Sequence, residues 1–128
     1  MGDQMHQITI TEPAVLIRIR KSYDPKMSRQ ALYEVTRGVW KAGDRREQVE
    51  IALAVFDGIV REIFLVDQWH PAGSTIYKTR PREDVEIEGR WEFTGSVAPE
   101  NIRSKYLDGS VAHYFSRGQA NPIFYVNA

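Results

Sequence analysis

The chain has 128 residues, 17 basic and 17 acidic side chains that cancel to a formal net charge of zero, and no cysteine. That length suits one hydrophobic core, and a hydrophobic content of 42% excludes a disordered chain. Zero net charge argues against a protein that coats duplex nucleic acid over a wide footprint. The missing cysteines exclude disulfides, thiol nucleophiles and thiolate metal sites.

Residues 1–11 are polar and short, and read as a flexible N-terminal arm ahead of a single domain over 12–128. They lack the charged start and apolar run of a signal peptide. No later stretch reaches the apolar length of a membrane span, so a cytoplasmic protein with no membrane partner is the expectation. Val15, Ile17 and Ile19 then alternate with Leu16, Arg18 and Arg20, which predicts a strand with one buried face. Asp24-Pro25 turns the chain. Ser28 is placed to cap a helix through "RQALYEVTRGVW", with Leu32, Val35 and Val39 facing inward and Gly38 or Gly43 ending it.

The segment "QVEIALAVFDGIVREIFLVDQW" is two apolar runs joined by Asp57-Gly58, the dipeptide that tolerates the positive φ angles of a type I′ turn. It predicts a hairpin. Val49, Ile51, Leu53 and Val55 share one face, and the small Ala52 and Ala54 on the other leave room for the helix to pack closely. The stretch "HPAGSTIYKTRPREDVEIEG" is a long loop of split charge, "RWEFTGSV" a short strand, and "APENIRSKYL" a helix with Pro99 in its first turn. "SVAHYFSRG" reads as a turn or short helix and "NPIFYVN" as a last strand begun by Pro122. The sum is an α+β domain: a curled, mostly antiparallel sheet or partly open β-barrel covered by two or three short helices.

From Trp40 to Phe93 the order of features resembles the PUA-like superfamily, with its EVE and ASCH branches. Trp40 and "KAGD" precede a strand, "IALAVFDGIVREIFLVDQW" follows as paired strands, and "RWEFTG" comes later as another. Across its whole length the chain is also similar to a set of small prokaryotic proteins without an assigned activity that end in "SVAHYFSRGQANPIFYVN". The first resemblance implies binding of RNA or a modified DNA base in a cleft beside the barrel. The second implies no function.

The residues themselves offer an aromatic–basic constellation. Trp40 stands among Arg37, Lys41, Arg45 and Arg46; rings stack on bases while cations meet phosphates. The other reading of Trp40 is a ring that closes the helix end onto the sheet. Trp69 is either a cage wall shared with Trp40 and Trp91 or a barrel cap, and Trp91 reads as core beside Phe93. His70 and Tyr77 are candidates to contact a base edge, and Arg80 to hold phosphate. The expected partner is single-stranded or modified nucleic acid, or a nucleotide, with no cofactor.

A second class is a small hydrolase or nuclease with His70 as general base beside Glu62, Asp67 or Glu86. Ser74 lacks a nucleophile elbow, and Glu86 and Glu88 form a carboxylate pair or a solvated loop. His6, His70 and His113 fit no metal-ligand spacing, so no metal is expected. Near the end, Gly118 and Asn121 offer an anion loop with Arg117 or simply a tight turn in which Asn121 bonds its own backbone. A third class is an accessory module acting through protein contacts, which calls for a broad exposed apolar face.

Overall fold

The computed structural model describes residues 6–128; residues 1–5 of the expected arm lie outside them. Asp57 and Gly58 both have positive φ, 55° and 75°, as a type I′ turn requires. They join the two arms of the hairpin, and an earlier strand precedes both arms. That strand, β1 (Ala14–Arg18), lies parallel to the hairpin's first arm, β3 (Ile51–Phe56), with Ala14 opposite Ile51. The second arm, β4 (Ile59–Pro71), runs on beyond β3 to pair antiparallel with β5 (Trp91–Val97). The last strand, β6 (Ile123–Val126), pairs antiparallel with β1 on its free side.

Ser28 caps α1 (Arg29–Arg37) as expected, its hydroxyl accepting from the Ala31 N–H at 3.0 Å. The helix ends at Gly38, the earlier of the two stops expected, so Val39 and Trp40 lie beyond it. Gly38–Trp40 leave it as a short strand, β2, with Gly38 opposite Glu92 and Trp40 opposite Trp91. Two more helices, α2 (Arg82–Val85) and α3 (Glu100–Tyr106), complete the set. The sheet has six strands in the order β2-β5-β4-β3-β1-β6 and curls into a half-barrel, its one parallel pairing being β1 with β3.

Both faces of this sheet carry a core. On one, Leu16, Ile51, Leu53, Val55 and Ile63 pack against Tyr106 of α3. On the other, Val15, Ile17, Ala52, Ala54, Phe64, Trp69 and Phe93 meet Leu32, Tyr33 and Val35 of α1. The alanines admit the helix, and the Tyr33 ring lies 5.4 Å from that of Phe64. The expectation of one buried face for β1 is therefore corrected: Ala14 to Ile17 are fully buried on both faces. A central strand with a parallel neighbour is covered on each side.

The flexible arm is corrected in the same way for residues 6–11. Ile8 and Ile10 are buried at 4% and 3% exposure. The Ile8 N–H donates to the Ser110 carbonyl at 3.1 Å, and the Ser110 N–H to the His6 carbonyl at 2.7 Å. Two alternating isoleucines are enough apolar surface to hold a short segment down. Among the described residues no helix is long and apolar enough to cross a membrane.

Candidate functional site

Trp40 leaves α1 through Gly38 and Val39 and is fixed by its own helix: its indole N–H donates to the Thr36 carbonyl at 2.8 Å. Half-buried, the ring lines a cleft of about 390 Å³ with Lys41, Arg90, Asn121 and Pro122. Lys41 is exposed. Arg90 is half-buried, with one Nη donating at 3.4 Å to the Val39 carbonyl. Asn121 accepts from the Ile123 N–H at 3.0 Å, the local backbone bond expected of it. The cleft joins β2, at one edge of the sheet, to the approach of β6, at the other. Sequence spacing pointed to Trp40 and Lys41 but not to Arg90, which is 50 residues further on.

The remaining basic residues around Trp40 have other duties. Arg46 lies over the Trp91 ring at 3.5 Å, donates to the Ala42 and Gly43 carbonyls, and pairs with Glu47 at 3.1 Å. Arg45 lies over Tyr125 at 5.0 Å and donates to the Ala128 carbonyl at 2.8 Å. They sit on a 3₁₀ turn, Asp44–Gln48, that ties β5 to β6 by cation–π contacts.

Arg37 and Arg80 belong to a buried polar clasp that holds the loop over residues 72–81. Gln30, Glu34 and Arg37 share one face of α1 by four- and three-residue spacing; Glu34 and Arg37 are buried and Gln30 lies at the exposed start of that face. Glu34 is fully buried and accepts from the Lys78 N–H (2.8 Å), the Thr79 N–H (2.7 Å), the Thr79 hydroxyl (2.5 Å) and the Gln30 amide (2.6 Å). Burial alone would raise its carboxyl, but these bonds from Thr79, Gln30 and the loop backbone outweigh that and lower it to about 2.

The second carboxylate of the clasp is Glu92, also fully buried, on β5 between Trp91 and Phe93. It accepts from the N–H groups of Gly73 (2.8 Å) and Thr75 (2.9 Å), the Thr75 hydroxyl, and the Tyr77 hydroxyl (3.0 Å). Arg37, at 2% exposure, stands 3.8 Å from Glu92, donates to Thr75 Oγ1 (2.7 Å) and the Ile76 carbonyl (2.9 Å), and covers the Tyr77 ring at 3.8 Å. Arg80 donates to the carbonyls of Glu34 (2.9 Å) and Gly38 (2.6 Å). Burial, more than its charged neighbours, pushes the Tyr77 phenol up. The close packing explains Gly38: a Cβ there would collide with the Tyr77 hydroxyl and reach within 3.0 Å of Glu92 Cβ. Of the three residues expected to meet a ligand here, Arg37 is buried against internal partners, while Tyr77 and Arg80 are half-buried and, for all their internal bonds, line a cavity of about 390 Å³ with Thr75 and Arg82.

Trp69 is 8% exposed and packs edge-on against Phe93 at 5.3 Å, so it stands in the core rather than as a cage wall. The His70 ring shares a hydrogen bond with Thr94 Oγ1 at 3.0 Å. Glu62 is held by Arg103 at 2.8 and 3.2 Å, eight residues before His70 on the same strand. Glu86 pairs with Arg82. The structure does not bring His70 together with Glu62, because eight strand residues span roughly 26 Å. Among the described residues no group of three or more His, Asp or Glu could hold a metal ion. Glu34 and Glu92 were missed in the sequence. The one local sign was the polar stripe of α1, and Glu92 carries no sign at all, because its partners come from another loop. No family model, curated protein or solved structure matches the chain.

Proposed function

We propose that the chain is a PUA-like binding module that takes an unpaired or modified base of single-stranded nucleic acid, or a nucleotide, against Trp40. Lys41 and Arg90 meet the phosphate, and Asn121 faces the ligand's polar edge. The observation that carries this reading is the cleft of about 390 Å³ in which an orientation-fixed indole stands beside two cations. Stacking on such a ring is worth ~1–3 kcal/mol per base and tolerates any sequence, while two cations suit one phosphate better than a long duplex backbone. The half-barrel supports the family reading in architecture.

The hydrolase alternative draws no support from His70, which is bonded to Thr94, or from Glu62, which is neutralised by Arg103. A protein-contact module calls for a broad apolar face. The exposed large hydrophobics among the described residues are Ile76, Ile87 and Val97, two in loops and one at a strand end.

Tryptophan fluorescence titrated with short single-stranded DNA and RNA, with and without modified bases, tests the proposal. Saturable quenching that weakens with salt is expected; in Trp40→Ala, which removes the reporter, affinity read instead by anisotropy of a dye-labelled strand is expected to fall about 5- to 150-fold, the range that ~1–3 kcal/mol of stacking converts to. Trp69 is buried and Trp91 is covered by Arg46, so the signal reports Trp40. Binding unchanged in both Trp40→Ala and the Lys41→Ala, Arg90→Ala double variant overturns the reading.

A further inference from the structure

A cavity of about 630 Å³ lies away from the Trp40 cleft, between the hairpin turn, the end of β1 and the segment 112–115. Its wall combines two cations, Arg18 and Arg20, with four apolar side chains, Val55, Phe56, Ala112 and Phe115. Arg18 is half-buried and Arg20 exposed. Among the described residues neither forms an ion pair, whereas Arg37, Arg46, Arg82, Arg103 and Lys105 all do. Their bonds go to neutral carbonyls instead: Arg18 to Gln119 (2.6 Å) and Asn121 (2.8 Å), and Arg20 to Gln119 (3.3 Å).

These bonds bring the two guanidinium groups together at the Gln119 carbonyl. Both hold the Gln119 carbonyl, so they stand side by side, and Arg18 is braced over the Phe115 ring at 4.7 Å. Burial first, and then the neighbouring Arg20 charge, push the Arg18 guanidinium below its ordinary value. Two adjacent cations in no ion pair, in a cavity of the size that ordinary small ligands occupy, suit an anion. Asp57, exposed in the hairpin turn, is the acid in this wall and has no bond to either arginine. It weighs against a polyanion and offers an acceptor to a hydroxyl.

We infer that the Arg18–Arg20 cavity is a second binding site, for a small phosphomonoester with an apolar or aromatic body. The phosphate, carrying close to two negative charges at neutral pH, lies against both guanidinium groups. The body lies against Phe56, Phe115 and Val55. This site is independent of Trp40 and its ligand.

Calorimetric titration of the full chain with phenyl phosphate, inorganic phosphate and benzoate tests the inference. Phenyl phosphate is expected to bind at least tenfold more tightly than either of the others, because they lack the apolar body or the second charge. Arg20→Met, at an exposed position that leaves the fold intact, is expected to weaken phenyl phosphate at least tenfold. Ala112→Phe, which fills the cavity without changing charge, is expected to do the same. Trp40→Ala should leave phenyl phosphate binding unaltered, which separates this site from the Trp40 cleft. No measurable phenyl phosphate binding, or equal binding in wild type, Arg20→Met and Ala112→Phe, overturns the inference whatever the strand titrations give.

Discussion

Arg37 and Arg20 carry the same guanidinium and sit in opposite electrostatic settings. Arg37 is 2% exposed and faces the buried carboxylate of Glu92, with Thr75 and Ile76 accepting its remaining bonds. Arg20 is exposed, forms no ion pair among the described residues, and shares a backbone carbonyl with a second cation. The first arginine is part of what keeps a loop folded, and the second is available to a ligand. Basic residues counted along a chain do not make this distinction; the position of the acids in space does.

The same substitution at the two positions gives the sharpest contrast. Arg37→Met leaves Glu92 buried without its cation and is expected to cost about 3–5 kcal/mol in urea unfolding. An effect below about 1 kcal/mol would mean that the hydrogen bonds from the loop alone hold Glu92. Acid should open the clasp next. Glu34 of the clasp, and outside it Glu12, whose carboxylate accepts from Lys105 at 2.8 Å and from the Tyr106 hydroxyl, are both lowered to about 2 from an ordinary 4.5, so each contributes stability that is present above 4.5 and lost as pH falls toward 2. For Glu34 the loss is on the order of 3 kcal/mol. Unfolding midpoints measured from pH 6 to pH 2 should fall through that window, and less steeply in Glu34→Gln.

Removing one donor from the clasp is a milder break. Thr79→Val deletes the hydroxyl bonded to Glu34 and keeps the backbone bond, for an expected loss of about 1.5–3 kcal/mol by thermal or urea unfolding. At the other extreme, Arg20→Met should change stability by no more than about 0.5 kcal/mol while changing anion binding. A stability loss as large as that of Arg37→Met would show that Arg20 is a structural arginine too, and the contrast between the two regions would collapse.

What could be read in advance followed short-range rules. The Asp57-Gly58 hairpin, the Ser28 cap, the start of α3 after Pro99 and the turn at Asn121 each depend on a few neighbouring residues. The half-barrel class followed from their order. β2 was legible only as the end of a helix, because three residues carry too little periodicity to announce a strand and its pairing partner, β5, lies some fifty residues later. The Trp40 neighbourhood was partly legible: the ring and Lys41 line a cleft, while Arg37, Arg45 and Arg46 turn to internal partners.

The sequence by itself determined the hairpin turn, the Ser28 cap and the absence of thiol chemistry, since these rest on backbone dihedrals and residue types that act locally. The tertiary structure decided which charges are buried and which stay available. Glu34 meets Thr79 across 45 residues and Arg37 meets Phe93 across 56. A carboxylate or guanidinium loses its water only when such distant partners arrive to replace it, so its role is settled by the contacts that folding brings rather than by its neighbours in the chain.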